Sequence, residues 1–320
     1  MGDLIKLGSS DLMISPIGIG TWQAGMRDWG TNYTKNDIIA AIEKSVENGV
    51  NFIDTAELYG DGVSESIVGE ALKKLDESVI IATKVKGENL KYDKVLKAAD
   101  SSLKRLGVKT IDLYQIHYPN FFVNIKETMK AMELLVKQGK IRYIGVSNFP
   151  VKWLKKAEYA LSTEKIVSDQ IRFNIIQNVA EKEIIPYCKK KNISVIAWSP
   201  IAKGILTDKY YKKTFELYKS RKRDRLLTDR NLSVLEPLFR GLTEIGSKYN
   251  RTISQVSLNW IISKGNIAIP GAKNEEQAIL NAGAMNWRLE EEDIKKIDSL
   301  SANLKIKEGM YSKVINWFYK

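Results

Sequence analysis

The sequence is poor in the residues that build disulfides and transition-metal sites. Its 320 residues include one cysteine, Cys188, and one histidine, His117. A single cysteine excludes a disulfide within the chain and suits a reducing compartment, so we expect a cytoplasmic protein. A transition-metal site draws several of its ligands from cysteine and histidine, and we therefore predict that the protein holds no metal.

Long apolar runs are also lacking. The sequence contains no stretch of about 18 uncharged apolar residues, which argues against a transmembrane helix. Residues 1–10 contain no apolar segment of secretory length. We therefore expect no membrane association. Because neither a linker nor an internal repeat is visible, we predict a single domain over residues 1–320.

Acidic residues are outnumbered by basic ones. The chain has 50 Lys and Arg against 38 Asp and Glu, a net charge of +12. Most lysines alternate with acidic residues on predicted helix faces, which is typical of a solvated surface. The exception is the basic and aromatic segment 209–225. Only the net charge argues for a nucleic-acid partner, so we predict none. The positive electrostatic field suits a phosphorylated cofactor instead.

Eight short apolar segments alternate with longer amphipathic ones. Continuous apolar runs of this kind are typical of buried parallel strands. The predicted strands are residues 15–20, 50–55, 79–84, 111–117, 141–148, 167–173, 193–199 and 267–271. Eight strand–helix units with right-handed crossovers close most simply into an α/β fold of the (β/α)8 TIM-barrel type. The alternative is an open doubly wound sheet. It would need the glycine fingerprint G-x-G-x-x-G after its first strand, and the segment GIGTWQAG lacks the third glycine in the right place.

Two segments extend this pattern. Residues 4–15 are predicted to form a β-hairpin that caps the N-terminal end of the barrel. The interval 200–266, between the seventh and eighth strands, is too long for one crossover and predicts an insertion. We expect a loop or short helix over 205–230 and helices near 233–248 and 253–263.

Polar residues follow the predicted strands at their C-terminal ends, where barrel enzymes place their active sites. Asp54 ends the second strand, Tyr59 lies in the next loop, Lys84 ends the third strand and His117 the fourth. A lysine cation lowers the pKa of a neighbouring tyrosine, an aspartate pairs with the lysine, and a neutral histidine can orient a carbonyl group. These groups suit carbonyl reduction or alcohol oxidation. Because no side chain carries a hydride, a nicotinamide cofactor would have to supply it.

Six motifs point to one protein family. The segments NFIDTAELYG, VIIATKV, IDLYQIHYP, IRYIGVSNF, AWSPIAKGILTDKY and IPGAKNEEQAILN occur in the order and spacing of the aldo-keto reductases. The sequence resembles this family over essentially its whole length. The resemblance implies a (β/α)8 barrel, NADP(H) bound across its mouth, and reversible reduction of aldehydes or ketones to alcohols.

The resemblance also implies roles for single residues. Tyr59 would be the proton donor, Lys84 the group that lowers its pKa, Asp54 the counter-ion of Lys84, and His117 the residue that orients the carbonyl group. The residues implied to bind the cofactor are Thr21, Trp22, Asp54, Ser147, Asn148, Gln170, Trp198, Ser199, Pro200, Ile201, Ala202, Gly204, Leu206, Lys209, Gly271, Lys273, Gln277 and Asn281. Aromatic residues of the adjoining loops predict a small-molecule substrate pocket walled by Trp22, Trp29, Tyr118 and Phe121.

Two positions depart from the family pattern. Many members carry an arginine where Gln277 stands and a glutamate where Leu280 stands, which leaves Lys273 as the main cation for a 2′-phosphate. We therefore predict NADP(H) with some tolerance of NAD(H). The motif variants Trp198-Ser-Pro and Gly271…Gln277 resemble the branch that contains aryl-alcohol dehydrogenases and the β subunits of voltage-gated potassium channels. That branch offers an alternative, a regulatory subunit that senses nicotinamide nucleotides. His117 favours an enzyme, because the channel subunits lack a histidine at this position.

Overall fold

Eight parallel strands form the centre of the fold. The computed structural model describes residues 4–25, 32–212, 226, 228–307 and 309–319. Two further strands near the N-terminus form a separate hairpin. In chain order the strands are β1 (Ile5–Lys6), β2 (Met13–Ile14), β3 (Ile19–Gly20), β4 (Phe52–Asp54), β5 (Ile80–Val85), β6 (Ile111–Ile116), β7 (Ile141–Ser147), β8 (Ile166–Arg172), β9 (Ser194–Trp198) and β10 (Ile267–Ala268).

The sheet closes on itself. Strands β3 to β10 pair in chain order, each parallel to the next. Parallel bridges then join Ile17 to Ala268 and Gly20 to Gly271, which brings the first strand back to the last. A Cβ atom at Gly20 would lie 2.9 Å from the carbonyl oxygen of Ile269, so this contact requires glycine. The predicted (β/α)8 barrel is confirmed.

The first and last barrel strands are shorter than predicted. The apolar runs 15–20 and 267–271 each yield a strand of two residues, β3 and β10. Each run contains a proline, Pro16 or Pro270, which has no N–H to donate to a neighbouring strand. Hydrogen bonding is therefore reduced to isolated bridges where the barrel closes.

Helices surround the barrel and follow its strands. They are α1 (Trp22–Gly25), α2 (Lys35–Glu47), α3 (Val63–Leu72), α4 (Tyr92–Leu106), α5 (Ile125–Lys137), α6 (Val151–Ala160), α7 (Ile184–Lys191), α8 (Asp208–Tyr211), α9 (Asp229–Tyr249), α10 (Ile253–Ser263), α11 (Glu275–Ala282), α12 (Glu291–Ala302) and α13 (Met310–Phe318). Several helices begin at a residue whose side chain caps the helix N-terminus. The Thr34 side chain accepts from the Asp37 N–H, and the Asp37 carboxylate accepts from the Thr34 N–H, which starts α2. Along the described chain, no helix is long and apolar enough to span a bilayer.

The N-terminal hairpin covers one end of the barrel, as predicted. Strands β1 and β2 pair antiparallel. Buried Leu7, Leu12 and Ile14 belong to one apolar cluster with Phe52 and Leu113 of the barrel interior. The hairpin therefore closes the end opposite the polar strand termini, and burial of these side chains stabilises the closure by about 2 kcal/mol each.

The insertion between β9 and β10 consists of helices α8, α9 and α10. Helix α10 has its predicted bounds, whereas α9 begins before the predicted start of 233–248 because Thr228 caps it from a position outside the apolar pattern. Residues 213–225 and 227 of the predicted loop 205–230 lie outside the described residues. Helices α12 and α13, which follow the barrel, were not predicted.

Candidate active site

Four polar side chains meet at the C-terminal end of the barrel. Asp54 is the last residue of β4, Lys84 lies in β5, and His117 directly follows β6. Tyr59 lies in the loop after β4. All four are buried, with exposed fractions of 1% for Asp54, 6% for Tyr59, 0% for Lys84 and 3% for His117. Parallel strands therefore bring together residues that are up to 63 positions apart in the chain, the separation of Asp54 from His117.

The ammonium group of Lys84 is the centre of this cluster. It donates to Asp54 Oδ1 at 2.6 Å, to the Thr55 carbonyl oxygen at 2.8 Å and to Tyr59 OH at 3.2 Å. An ammonium group has three N–H donors, and these three acceptors use all of them. Burial lowers the pKa of Lys84, and the Asp54 carboxylate opposes this by favouring the charged form. The cation is thus held against the hydroxyl group of Tyr59.

The loop that carries Tyr59 has a tightly specified backbone. Gly60 and Gly62 adopt φ angles of 64° and 92°, which favour glycine. The loop packs so closely on Gly25 that a Cβ atom there would lie 2.2 Å from the Tyr59 carbonyl oxygen. Buried Glu57 adds a further anchor, because its carboxylate accepts from Asn89 Nδ2 at 2.5 Å. These contacts fix the position of the Tyr59 side chain.

His117 lies beside Tyr59. The two ring centroids are 5.6 Å apart at an angle of 78°, and Tyr118 stacks on the other side of the imidazole at 4.8 Å. Burial lowers the pKa of His117 well below its usual value, and the nearby Lys84 cation lowers it further. The imidazole is therefore neutral near pH 7. Among the described residues, its Nδ1 atom has no hydrogen-bond partner.

A layer of amide side chains supports Asp54 from inside the barrel. Asp54 Oδ2 accepts from Gln170 Nε2 at 2.7 Å and from Gln115 Nε2 at 3.2 Å. Gln170 Nε2 also donates to Gln115 Oε1 at 3.3 Å. Gln115 was not among the predicted site residues, although its position in the sequence points to the site. Gln115 lies in β6, two residues before His117, which directly follows the strand, and residues two apart along extended backbone point to the same face.

Asn148 connects several predicted site residues. It adopts a φ angle of 61°, an unusual conformation for a residue other than glycine. Its Nδ2 atom donates to the His117 carbonyl oxygen at 3.2 Å and to Ser147 Oγ at 2.9 Å. Trp198 Nε1 donates to Asn148 Oδ1 at 3.1 Å. The indole ring and the backbone of His117 are therefore held by one amide group.

The cluster opens into a cavity of about 1350 Å³. This volume exceeds the roughly 300–1,000 Å³ of common small-molecule sites, as expected for a large ligand together with a substrate. The predicted site residues that line it are Thr21, Trp22, Asp54, Tyr59, His117, Tyr118, Ser147, Asn148, Gln170, Trp198, Ser199, Pro200, Ile201, Gly204, Lys209, Gly271, Lys273, Gln277 and Asn281.

Four of the predicted residues that the structure describes do not line this cavity. Lys84 is fully buried and contacts two residues that line the cavity, Asp54 and Tyr59. Ala202 and Leu206 are fully buried in the apolar core rather than at the cavity wall. Phe121 is 59% exposed and packs edge-on against a tryptophan of α6 instead of lining the cavity. Trp29 lies outside the described residues.

The far end of the cavity reaches the start of α11. Asn274 caps this helix by accepting from the Gln277 N–H at 3.0 Å, and Gln277 Oε1 accepts from the Lys273 N–H at 3.0 Å. The charge here is mixed, because Lys209 lies 3.9 Å from Glu276. The helix terminus and Lys273 favour an anion, whereas Glu276 opposes it.

The chain is similar to known proteins over most of its length. The model of the aldo/keto reductase family matches residues 16–302. The chain belongs to this family. An uncharacterized oxidoreductase of Mycobacterium tuberculosis is 36% identical over 280 residues, 86% of each chain. Methylglyoxal reductase YeaE of Escherichia coli is 31% identical over 91% of this chain and 92% of its own. An aldo-keto reductase from Klebsiella pneumoniae, solved with NADPH, is 25% identical, with a TM-score of 0.78 over 97% of this chain and 100% of its own.

Membership of the aldo/keto reductase family confirms the resemblance inferred from the six motifs. The proposed branch within the family stays a prediction. Among the described residues, no group of three or more His, Cys, Asp or Glu side chains is placed to hold a metal ion.

Proposed function

We propose that this protein reduces aldehydes and ketones to alcohols reversibly, with NADP(H) as cofactor and Tyr59 as general acid and base. One observation carries the proposal. The Lys84 ammonium bridges Asp54 and the Tyr59 hydroxyl group, beside a neutral His117, at the wall of a cavity large enough for a dinucleotide. When bound, the nicotinamide ring supplies or accepts the hydride.

The residues that line the cavity fit such a cofactor. Lys203, Lys209 and Lys273 offer cations for its phosphate groups. Gly271 also lines the cavity, and a Cβ atom there would lie 2.5 Å from Gln23 Oε1, so the packing of Gln23 at this strand end requires glycine. The Klebsiella relative was solved with NADPH, and the Escherichia coli relative is named a methylglyoxal reductase, which supports a carbonyl substrate.

Each catalytic side chain has a role that follows from its contacts. Tyr59 would donate its hydroxyl proton to the carbonyl oxygen of the substrate, and its phenolate would take a proton back when an alcohol is oxidised. The Lys84 cation stabilises that phenolate, and Asp54 holds the cation in place. Neutral His117 can donate an N–H to the same carbonyl oxygen and orient it.

Replacement of Tyr59 by phenylalanine tests the proposal. Tyr59→Phe removes the proton donor and keeps the ring, so we expect kcat for aldehyde reduction to fall by about 10³-fold. NADPH binding, followed by fluorescence, should be retained. Turnover is measured as loss of NADPH absorbance with a panel of aldehydes and ketones, and exposed Tyr159→Phe serves as the matched control.

Three results would contradict parts of the proposal. Turnover near the wild-type rate in Tyr59→Phe would refute the role of Tyr59. A higher kcat/KM with NADH than with NADPH would refute the choice of cofactor. Wild-type protein that binds NADPH but turns over no carbonyl in the panel would favour the regulatory alternative.

A further inference from the structure

The residue after α13 reaches the mouth of the barrel. Tyr319 is 2% exposed, and its hydroxyl group donates to Asn148 Oδ1 at 2.9 Å. The same hydroxyl accepts from the Arg172 N–H at 2.9 Å. Asn316, one turn earlier, accepts from Arg172 Nη2 at 2.5 Å. Tyr319 therefore joins the ends of β7 and β8 on the side of the cavity.

The bond from Tyr319 completes the hydrogen bonding of Asn148. A primary amide has two N–H donors and two acceptor positions on its oxygen. The donors go to the His117 carbonyl oxygen and to Ser147 Oγ. The oxygen accepts from Trp198 Nε1 and from Tyr319 OH. Within the described part of the chain, the Asn148 amide is saturated, and its orientation is fixed from all four sides.

Loss of the Tyr319 hydroxyl group would remove one of these four constraints. Asn148 Oδ1 would keep its bond from the Trp198 indole, and the Arg172 N–H would lose its bond to the Tyr319 hydroxyl group. With three hydrogen bonds instead of four, the Asn148 amide can rotate more easily, and its rotation would move the two groups that it holds in place. One is the backbone of His117, and the other is the ring of Trp198.

We propose that Tyr319 is a positioning residue of the active site. Its hydroxyl group fixes the Asn148 amide, and through that amide it fixes the backbone of His117 and the ring of Trp198. The effect on turnover rests on the proposed function, whereas the effect on the geometry of His117 does not. Tyr319, the residue directly after α13, thereby supports the active site, although it lies 171 positions from Asn148 in the chain.

Two tyrosine-to-phenylalanine variants test this proposal. Tyr319→Phe removes a hydroxyl group that gives one bond to a side chain and accepts one from a backbone N–H. Tyr249→Phe is the matched control, because Tyr249 OH donates to Asp293 and accepts from the Glu290 N–H in the outer helices. For Tyr319→Phe we expect kcat/KM for an aldehyde to fall about tenfold, mainly through kcat. The dissociation constant of NADPH should stay within about twofold of wild type. Tyr249→Phe should leave all three quantities unchanged.

A second measurement is independent of turnover. His117 is the only histidine in the sequence, so untagged protein labelled with ¹⁵N-histidine gives one set of imidazole signals. Tyr319→Phe should shift or broaden these signals in the absence of any ligand, and Tyr249→Phe should leave them in place. The midpoint of thermal unfolding of both variants shows whether they remain folded.

The possible outcomes separate the two proposals. Imidazole signals and kcat/KM of Tyr319→Phe that match wild type would overturn the positioning role. Equal spectral changes in both variants would overturn it as well, because they would indicate general loosening. If wild type turned over no carbonyl but Tyr319→Phe still perturbed His117 selectively, the proposed function would fail and the positioning role would stand.

Discussion

Lys84→Met removes the cation from the centre of the site, and its cost follows from the contacts of the ammonium group. The group is fully buried and lies 2.6 Å from Asp54 Oδ1. At that distance and an effective dielectric constant of ~20 the attraction is roughly 6 kcal/mol. Much of it offsets the cost of burying the two charges. Methionine keeps the bulk of the side chain but leaves a buried carboxylate without a counter-ion. We therefore expect the free energy of unfolding to fall by about 3–5 kcal/mol.

Asp54→Asn breaks the same ion pair by removing the carboxylate instead of the cation. Asp54 Oδ2 accepts from both Gln115 and Gln170, so asparagine keeps these bonds only if its amide oxygen takes that position. Its NH2 group then faces the Lys84 ammonium, which places donor against donor. The cation also loses its counter-ion. We expect a similar loss of about 3–5 kcal/mol.

The double variant decides whether this account is right. With both changes no uncompensated charge remains, but the Thr55 carbonyl oxygen loses the hydrogen bond that it accepted from Lys84. We expect the free energy of unfolding of the double variant to fall by about 3–5 kcal/mol. The two single changes, if independent, would add to a loss of roughly 6–10 kcal/mol. Urea unfolding followed by tryptophan fluorescence measures all four proteins. The exposed pair Lys35–Glu70, at 2.8 Å, supplies a control cycle with an expected coupling below about 1 kcal/mol. Losses at Asp54 and Lys84 that add within about 0.5 kcal/mol would refute the reasoning.

Two further predictions concern pH. Because the pKa of His117 is lowered on folding, the unfolded chain binds the extra proton below a pH of about 6.5. Compared with His117→Gln, the free energy of unfolding of wild type should fall by up to ~1.4 kcal/mol for each pH unit below that point. If the two proteins showed the same dependence of unfolding free energy on pH, this prediction would be wrong. Burial raises the pKa of Asp169 well above its usual value, and no described group bonds its Oδ2 atom. The folded state then keeps a proton that the unfolded chain releases above a pH of about 4. The free energy of unfolding of Asp169→Asn should therefore equal that of wild type near pH 4 and exceed it by a growing margin towards neutral pH. Urea unfolding measures both proteins, and a stabilisation that does not change with pH would argue against this.

The order of elements and the main polar cluster followed from the sequence for a physical reason. Buried parallel strands read as apolar runs, and their C-terminal ends meet at one face whatever the intervening lengths. Asp54, Lys84 and His117 could therefore be placed together before any contact was known. The lengths of β3 and β10 depended instead on backbone pairing that Pro16 and Pro270 limit. The hydrogen bond from Tyr319 to Asn148 could not be predicted, because no local sequence pattern links the two residues.

Sequence alone also does not distinguish two amide side chains to which the family resemblance gives the same role. Asn148 and Gln170 are both implied to bind the cofactor, and both line the cavity. Asn148 already makes four hydrogen bonds, so a ligand that bonds its side chain has to replace one of them. Both N–H groups of Gln170 are engaged by Asp54 and Gln115, but within the described residues nothing donates to its Oε1 atom. Exchanging one hydrogen bond for another changes the free energy little, whereas a new bond to an open acceptor contributes about 1 kcal/mol. A ligand amide that offers an N–H donor should therefore gain more from Gln170 than from Asn148.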